Sequence, residues 1–241
     1  MTLAANLEAI ERRIARAAER AGRAPSTVRL IAVSKGHPSA AIRELYAAGH
    51  RDFGESYAQE LESKAAELAD LGELRWHMIG HLQRNKARSV VRHVTSVHSV
   101  DSIALASELG RRARAVAEER AQRFGPEHAR LDVLVEVSIA GETQKSGVAQ
   151  DALAELLAAV ESDPALRLVG LMCIPPWGDE PEAARPYFET LARLRDEHGG
   201  AERLPELSMG MTHDFEQAIA AGATIVRVGT AIFGERPPRR G

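Results

Sequence analysis

The chain is expected to fold as an α/β protein: a single (β/α)8 barrel of the TIM type, residues 1–241 in one domain, with an extra helix ahead of the first strand. Three observations predict this. Short apolar or β-branched runs alternate with longer stretches of helical periodicity, and eight such runs occur. That alternation implies parallel strands joined by right-handed crossovers. Eight units in 241 residues match a closed barrel, which takes about 250 residues, and no shift in composition marks a linker. An open, doubly wound sheet is the alternative.

The elements follow in order. From Leu3 to Ala21 apolar positions recur at helical spacing among arginines and glutamates, and Gly22 closes the helix. Leu30 to Lys35, LIAVSK, is a buried strand stopped by Gly36 and Pro38; a helix from Ser39 to Ala48 then ends at Gly49. A short strand at Arg51 to Gly54 exits through Glu55 and Ser56 into a helix from Tyr57 to Leu71. Trp76 to Ile79 is the third strand. Val94 to Ser102 holds the fourth, with Asp101 capping a long helix from Ile103 to Phe124. The fifth, Leu131 to Ile139, leads to a loop carrying Lys145 and a helix from Gln150 to Ser162. A sixth begins at Leu166 and is halted by Pro175 and Pro176, before a helix from Glu182 to His198. Leu207 to Met209 is the seventh, and Thr212 or His213 caps the helix starting near Asp214. Ile225 to Ile232 is the last strand, followed by the polar tail FGERPPRRG.

Composition excludes several classes. With 44% hydrophobic and 27% charged residues, the chain can bury a large core. A net charge of −3, with basic residues scattered among acids, gives no electrostatic ground for nucleic acid or an anionic membrane as partner. The single cysteine, Cys173, lies in the apolar run LVGLMCIP and reads as a small core residue. Charges recur every few residues in the first helix, unlike a signal peptide or membrane span, so a cytoplasmic protein is expected. A monomer is the expected form, though no residue pattern names an interface.

A lysine at the end of an apolar strand demands a reason, because ammonium groups are rarely buried unpaired. Lys35 either snorkels to water or is an uncharged amine, its pKa lowered by desolvation, able to form a Schiff base with an aldehyde. In a parallel barrel the strands' carboxyl ends share one working face. The polar residues expected there are Lys35, Glu55, Ser56, His77, Lys145, Ser208, Thr212, Arg227, Gly229 and Thr230. Arg227, inside a β-branched strand, costs desolvation unless a partner meets it, and Gly229 and Thr230 beyond it offer backbone N–H groups, as late barrel strands do for phosphate. Thr212 can add a hydroxyl near a helix start, with Ser208 a neighbouring candidate. A salt bridge for Arg227 and a tight turn at Gly229 is the plainer alternative. Amine and anion cradle together suggest a phosphorylated aldehyde.

The blocks LIAVSK, FGESYAQE, WHMIGHLQRNK, KSG, GLMCIP, SMGMTHDFEQAI and VRVGTAIFG, spread from Leu30 to Gly234, resemble the successive signatures of the pyridoxal-phosphate homeostasis proteins, also called the YggS or PROSC family. The resemblance implies a barrel of the alanine-racemase N-terminal type carrying pyridoxal 5′-phosphate (PLP) as a Schiff base on Lys35. It places Ser208, Thr212, Gly229 and Thr230 at the phosphate, Arg227 against the pyridine nitrogen and Met172 near the ring. Ser56 stands where the family usually has Asn, so any contact to the ring or its hydroxyl is shortened or relayed by water. Thr212 replaces the usual Ser and keeps the hydroxyl.

The function so implied is to bind, buffer and hand over PLP in vitamin B6 homeostasis, with no catalytic residue and with PLP-dependent acceptor enzymes as transient partners. A guanidinium against the ring nitrogen disfavours the protonated ring that makes PLP a strong electron sink. Barrel racemases share that arginine but, by the same resemblance, add a second domain bringing a tyrosine. Here a short tail follows the last strand, and Tyr46, Tyr57 and Tyr187 read as lying in or beside helices. The alternatives are a PLP-dependent amino-acid racemase or a Schiff-base lyase acting on a phosphorylated aldehyde. His77 and His81 are four apart, but Gly80 breaks any shared helical face, and no metal is expected. His213 reads as a surface residue. Lys86 and Lys145 either receive the aldehyde during transfer or, the plainer reading, bridge to carboxylates.

Overall fold

The computed structural model describes residues 2–140 and 146–235. In chain order it contains α1 (Leu3–Arg20), β1 (Arg29–Val33), α2 (Ser39–Ala47), β2 (Asp52–Glu55), α3 (Ala58–Glu67), β3 (Arg75–Met78), α4 (Ala87–Val90), β4 (Val94–Val100), α5 (Ile103–Ala115) and α6 (Ala117–Phe124). There follow β5 (Leu131–Glu136), α7 (Leu153–Glu161), β6 (Leu166–Met172), α8 (Arg185–Glu197), α9 (Gly200–Arg203), β7 (Glu206–Ser208), α10 (Phe215–Ala220), β8 (Ile225–Val228) and α11 (Thr230–Phe233). The eight strands are parallel and close in sequence order, β8 pairing with β1. The open sheet is therefore excluded, and α1 is the extra helix ahead of the barrel.

Alternation along each strand sorts the side chains. Leu30, Ala32, Phe53, Trp76, Val97, Val133 and Val226 join the apolar layer shared with the helices. Ile31, Leu134, Met172 and Ile225 form a separate small cluster inside the barrel. The rest of the interior is polar, with His77, Ser96, His98, Ser208 and Arg227 all buried. Helix α1 buries Leu7, Ile10, Ile14, Ala17 and Ala18, and Thr2 caps it by accepting from the Ala5 amide at 3.2 Å. Its Asn6 side chain donates to the Ile232 carbonyl at 3.0 Å, tying α1 to the segment that follows β8.

At the amino ends of the strands, Arg75 pairs with Asp52 at 2.6 Å, Arg167 with Asp132 at 2.5 Å and Arg29 with Glu206 at 3.3 Å. These pairs ring a cavity of about 610 Å³ that reaches up to His77 and His98.

Several expected boundaries move, each for a local reason. The helix expected from Ile103 to Phe124 breaks at Val116, whose φ of −129° leaves the helical region. The break lets α6 turn Arg120 inward, fully buried, where it donates to the carbonyls of Val94 at 2.7 Å and His128 at 3.1 Å. Burial lowers its pKa to about 10. Ser102, not Asp101, caps α5, accepting from the Leu105 amide. Neither Thr212 nor His213 caps α10, whose preceding residue is Asp214. The last strand ends at Val228, and Gly229 turns the chain into α11.

Gly170 in β6 faces Glu206 in register, and a Cβ there would run into the Glu206 carbonyl. The atoms it would meet are all Glu206 backbone and cannot yield cheaply. Gly170→Ala is expected to lower stability by about 3 kcal/mol, read as a drop in the urea midpoint. Among the described residues no helix is long and apolar enough to cross a membrane, and no group of three or more His, Cys, Asp or Glu is placed to hold a metal ion.

Candidate functional site

Lys35 lies in the turn two residues past β1, half-buried, and the residues on either side of it are clamped. Ser34 gives its carbonyl to Lys64 Nζ at 2.7 Å and donates its hydroxyl to Glu55 Oε1 at 2.7 Å. The Gly36 amide donates to Glu60 Oε1 at 2.6 Å. Lys64 joins both carboxylates, 2.6 Å from Glu55 and 2.7 Å from Glu60. Strand β2 and helix α3 thus hold the backbone beside the lysine through one ion triad, in which Glu55 and Lys64 are buried and Glu60 half-buried. Burial raises the Glu55 carboxyl pKa despite the pull of Lys64, in keeping with an Oε2 that is buried without a partner. Glu55 therefore turns away from the barrel mouth, contrary to its expected place there.

On the neighbouring strand, Ile31 pairs in register with Arg227 and Ala32 with Val228. A Cβ on Gly229 would lie 3.2 Å from the Val33 carbonyl, so β8 leaves the sheet directly against the end of β1. His37 stacks on Phe233 with ring centroids 5.0 Å apart, which ties the Lys35 loop to α11. The Ile232 and Phe233 amides both close on the Gly229 carbonyl at 2.9 Å, while first-turn amides lack intrahelical acceptors. The segments that carry Lys35, Gly229 and Thr230 are consequently held side by side at the carboxyl ends of β1 and β8.

Arg227 is 3% exposed; its guanidinium donates to Ser208 Oγ at 2.7 Å and to the Cys173 carbonyl at 3.0 Å. Burial lowers its pKa, and Glu136 and Asp214 are nearby carboxylates that offset the effect. Thr212 is half-buried in the turn between β7 and α10, which is shaped by Gly210 at φ +90° and by Asp214 Oδ1 accepting from the Met211 amide at 2.6 Å. A side chain at Gly210 would strike Phe215 and Ala218. Met172 is fully buried on the floor below, against Ile31, Leu134 and Ile225. Ser208 is also fully buried, engaged by Arg227 and by His98 Nδ1 at 2.9 Å.

Ser56 lines a second cavity of about 410 Å³ on the same face, with Tyr57, Gln83, His81 and Lys86. His77 points into the barrel interior, whereas His81 lies 3.4 Å from Asp101, so the two do not converge. His213 is exposed, stacked on Trp177 with its Nε2 3.0 Å from the Asp179 carbonyl. Cys173 is core, its thiol pushed up to about 12 by burial. Lys145 lies outside the described residues.

Two functional features were missed in the sequence. Glu136, the last residue of β5, is 4% exposed and accepts from Ser146 Oγ at 2.6 Å; burial raises its pKa, with Ser146 opposing. It carried the signal that singled out Lys35, a charge ending an apolar strand. The Glu55–Glu60–Lys64 triad was visible as i, i+4 spacing at Glu60 and Lys64, but nothing marked it as buried.

A closed parallel barrel with a lysine just past β1 and a buried arginine on β8 defines the class as a (β/α)8 barrel with its charged groups at the strand ends. Residues 5–237 match the family described as "Alanine racemase, N-terminal domain". A protein of Pseudomonas aeruginosa named pyridoxal phosphate homeostasis protein is 48% identical over 240 residues, covering 98% of this chain and 96% of that protein. The structure of PipY from Synechococcus elongatus PCC7942 with PLP bound is 40% identical, with a TM-score of 0.73, covering 92% of this chain and all of that one. The chain belongs to the pyridoxal phosphate homeostasis protein family. Alanine racemase of Corynebacterium glutamicum, 18% identical at a TM-score of 0.64 over 96% of this chain and 62% of that one, shares the fold.

Proposed function

We propose that this protein binds pyridoxal 5′-phosphate through Lys35 and buffers or hands it over in the cytoplasm, without substantial catalysis. The observation that carries the reading is the adjacency of two strand ends: β8 pairs with β1, so that Lys35, just past β1, and Gly229 and Thr230, just past β8, lie at the same end of neighbouring strands. The names of the relatives and the PLP bound to PipY support it. In this assignment Thr212 and the Gly229 and Thr230 amides hold the phosphate, while Ser208, expected beside them, is taken up below by Arg227 and His98; Arg227 faces the ring nitrogen, Met172 supports the floor and Ser56 stands at the rim. Transient partners are PLP-dependent acceptor enzymes, and the working form is a monomer.

When bound, PLP supplies an electrophilic carbonyl and, with its ring nitrogen protonated, an electron sink. Arg227 stays cationic at ordinary pH and so opposes a second positive charge on that nitrogen. Tyr46 lies in α2, where Arg51 stacks over its ring at 3.9 Å; Tyr187 lies in α8, and Tyr57 is exposed at the rim. These placements favour a holder over a racemase.

The test is the α-proton of L-alanine in deuterated water with the PLP-loaded protein. Its NMR signal is expected to persist at the rate of a control with free PLP. Loss at about one turnover per second or faster would make the protein an enzyme.

A further inference from the structure

Below Arg227 an unbroken row of hydrogen bonds crosses the barrel interior to its amino face. Arg227 donates to Ser208 Oγ at 2.7 Å. Ser208 Oγ meets His98 Nδ1 at 2.9 Å, and His98 Nε2 meets Ser96 Oγ at 2.8 Å. Ser96 Oγ meets His77 Nδ1 at 2.7 Å, and His77 Nε2 meets Asp52 Oδ1 at 3.0 Å. Arg75 grips the same carboxylate with bonds of 2.9 Å and 2.6 Å from the cavity at the amino face. Every member from Arg227 to Asp52 is buried.

The two ends set the direction of the row. A guanidinium only donates, and a carboxylate only accepts. Burial works against a charge on Asp52, but hydrogen bonds from His77 and Arg75 outweigh it and hold the carboxyl well below its usual range. Burial, with His77 and Arg227 nearby, pushes the His98 pKa down, so its imidazole is neutral with one proton to place. If Ser208 accepts from Arg227 and donates to His98 Nδ1, then His98 carries its proton on Nε2 and donates to Ser96. Ser96 in turn donates to His77 Nδ1, and His77 Nε2–H donates to Asp52. Every proton is used, and every dipole lies head to tail between a fixed cation and a fixed anion.

The reversed row needs a second proton on His77. It points two N–H donors at Ser208 Oγ and turns the positive ends of the dipoles toward the Arg227 cation. The electrostatics therefore select the first arrangement.

We propose that Ser208, His98, Ser96 and His77 form a one-way relay anchored on Asp52 that fixes the Arg227 guanidinium for the cofactor's ring nitrogen. Ser208 is then a positioning residue, its hydroxyl proton committed to His98 instead of the phosphate. The orienting role rests on the PLP reading above; the direction of the relay does not.

Imidazole nitrogen NMR of the cofactor-free wild-type protein tests the direction, with His77→Gln and His98→Gln spectra used for assignment. Both rings are expected to carry a proton on Nε2 alone at neutral pH. A proton on Nδ1 of either ring overturns the proposal. Ser96→Ala, which cuts the row at its middle, tests the role: PLP is expected to bind roughly fivefold more weakly. The pH midpoint of the bound cofactor's visible band should shift as well, and Ser96→Thr should restore both. Unchanged affinity and band in a folded Ser96→Ala protein would refute the positioning role. Should Ser96→Ala fail to fold, the wild-type spectrum still decides the direction, and a pH-midpoint shift of the bound cofactor's band in His98→Gln decides the role. Wild-type protein that takes up no PLP would instead refute the functional reading.

Discussion

Lys35→Ala is expected to abolish the visible absorption that PLP acquires on the protein, along with its retention after borohydride and denaturation. The fold should survive, because Lys35 sits past the end of β1 in a half-buried turn and takes no part in the apolar core. Lys35→Arg separates amine from charge: the cation is kept, but a guanidinium does not act as the nucleophile. It too should be colourless with PLP. Absorption spectra and circular dichroism of the two variants beside the wild type check both statements, and a coloured Lys35→Arg protein would remove the amine from the account.

Lys64→Met is expected to be the most destabilising of the site's substitutions, by about 3–5 kcal/mol at pH 7. It strands Glu55, fully buried, with only Ser34 to meet its charge, and takes the ammonium away from Glu60 and from the Ser34 carbonyl. Adding Glu55→Gln should recover part of the loss, because an amide there carries no charge to bury.

The pH dependence has a definite sign. A carboxyl whose folded pKa is raised, as burial raises that of Glu55, favours the fold fully below its unfolded value, roughly 4.3, and loses that contribution as pH climbs through the folded value. Removing the ammonium raises Glu55 further. The variant's deficit in urea unfolding should therefore shrink between pH 7 and pH 4.5. A deficit independent of pH would show that lost packing, not stranded charge, is the cause.

Much of this site was legible because its residues break local rules. Lys35 and Arg227 are charges in apolar strands, and such positions need a partner or a purpose wherever the strand ends. The barrel followed from eight alternations, and the barrel alone made the strands that lead to Lys35 and carry Arg227 neighbours. The clamp and the relay were hidden for a different reason. Glu55, His77 and Ser208 occupy polar positions near strand ends, and a linear pattern does not say whether such a side chain faces the mouth, the helices or the opposite wall. Glu55 faces α3, and His77 lies deep beside Asp52. Val116 illustrates the same limit for helices: the periodicity runs on to Phe124, and only the tertiary requirement to bury Arg120 against strand carbonyls explains the break.

The central claim is that one mouth joins the β1 lysine to the β8 cradle and takes a single PLP. Peptide mass mapping of the wild-type protein after incubation with PLP and borohydride tests it most directly. One modified site is expected, in the peptide containing Lys35. Modification centred on Lys86 or Lys145, or none at all, would contradict it.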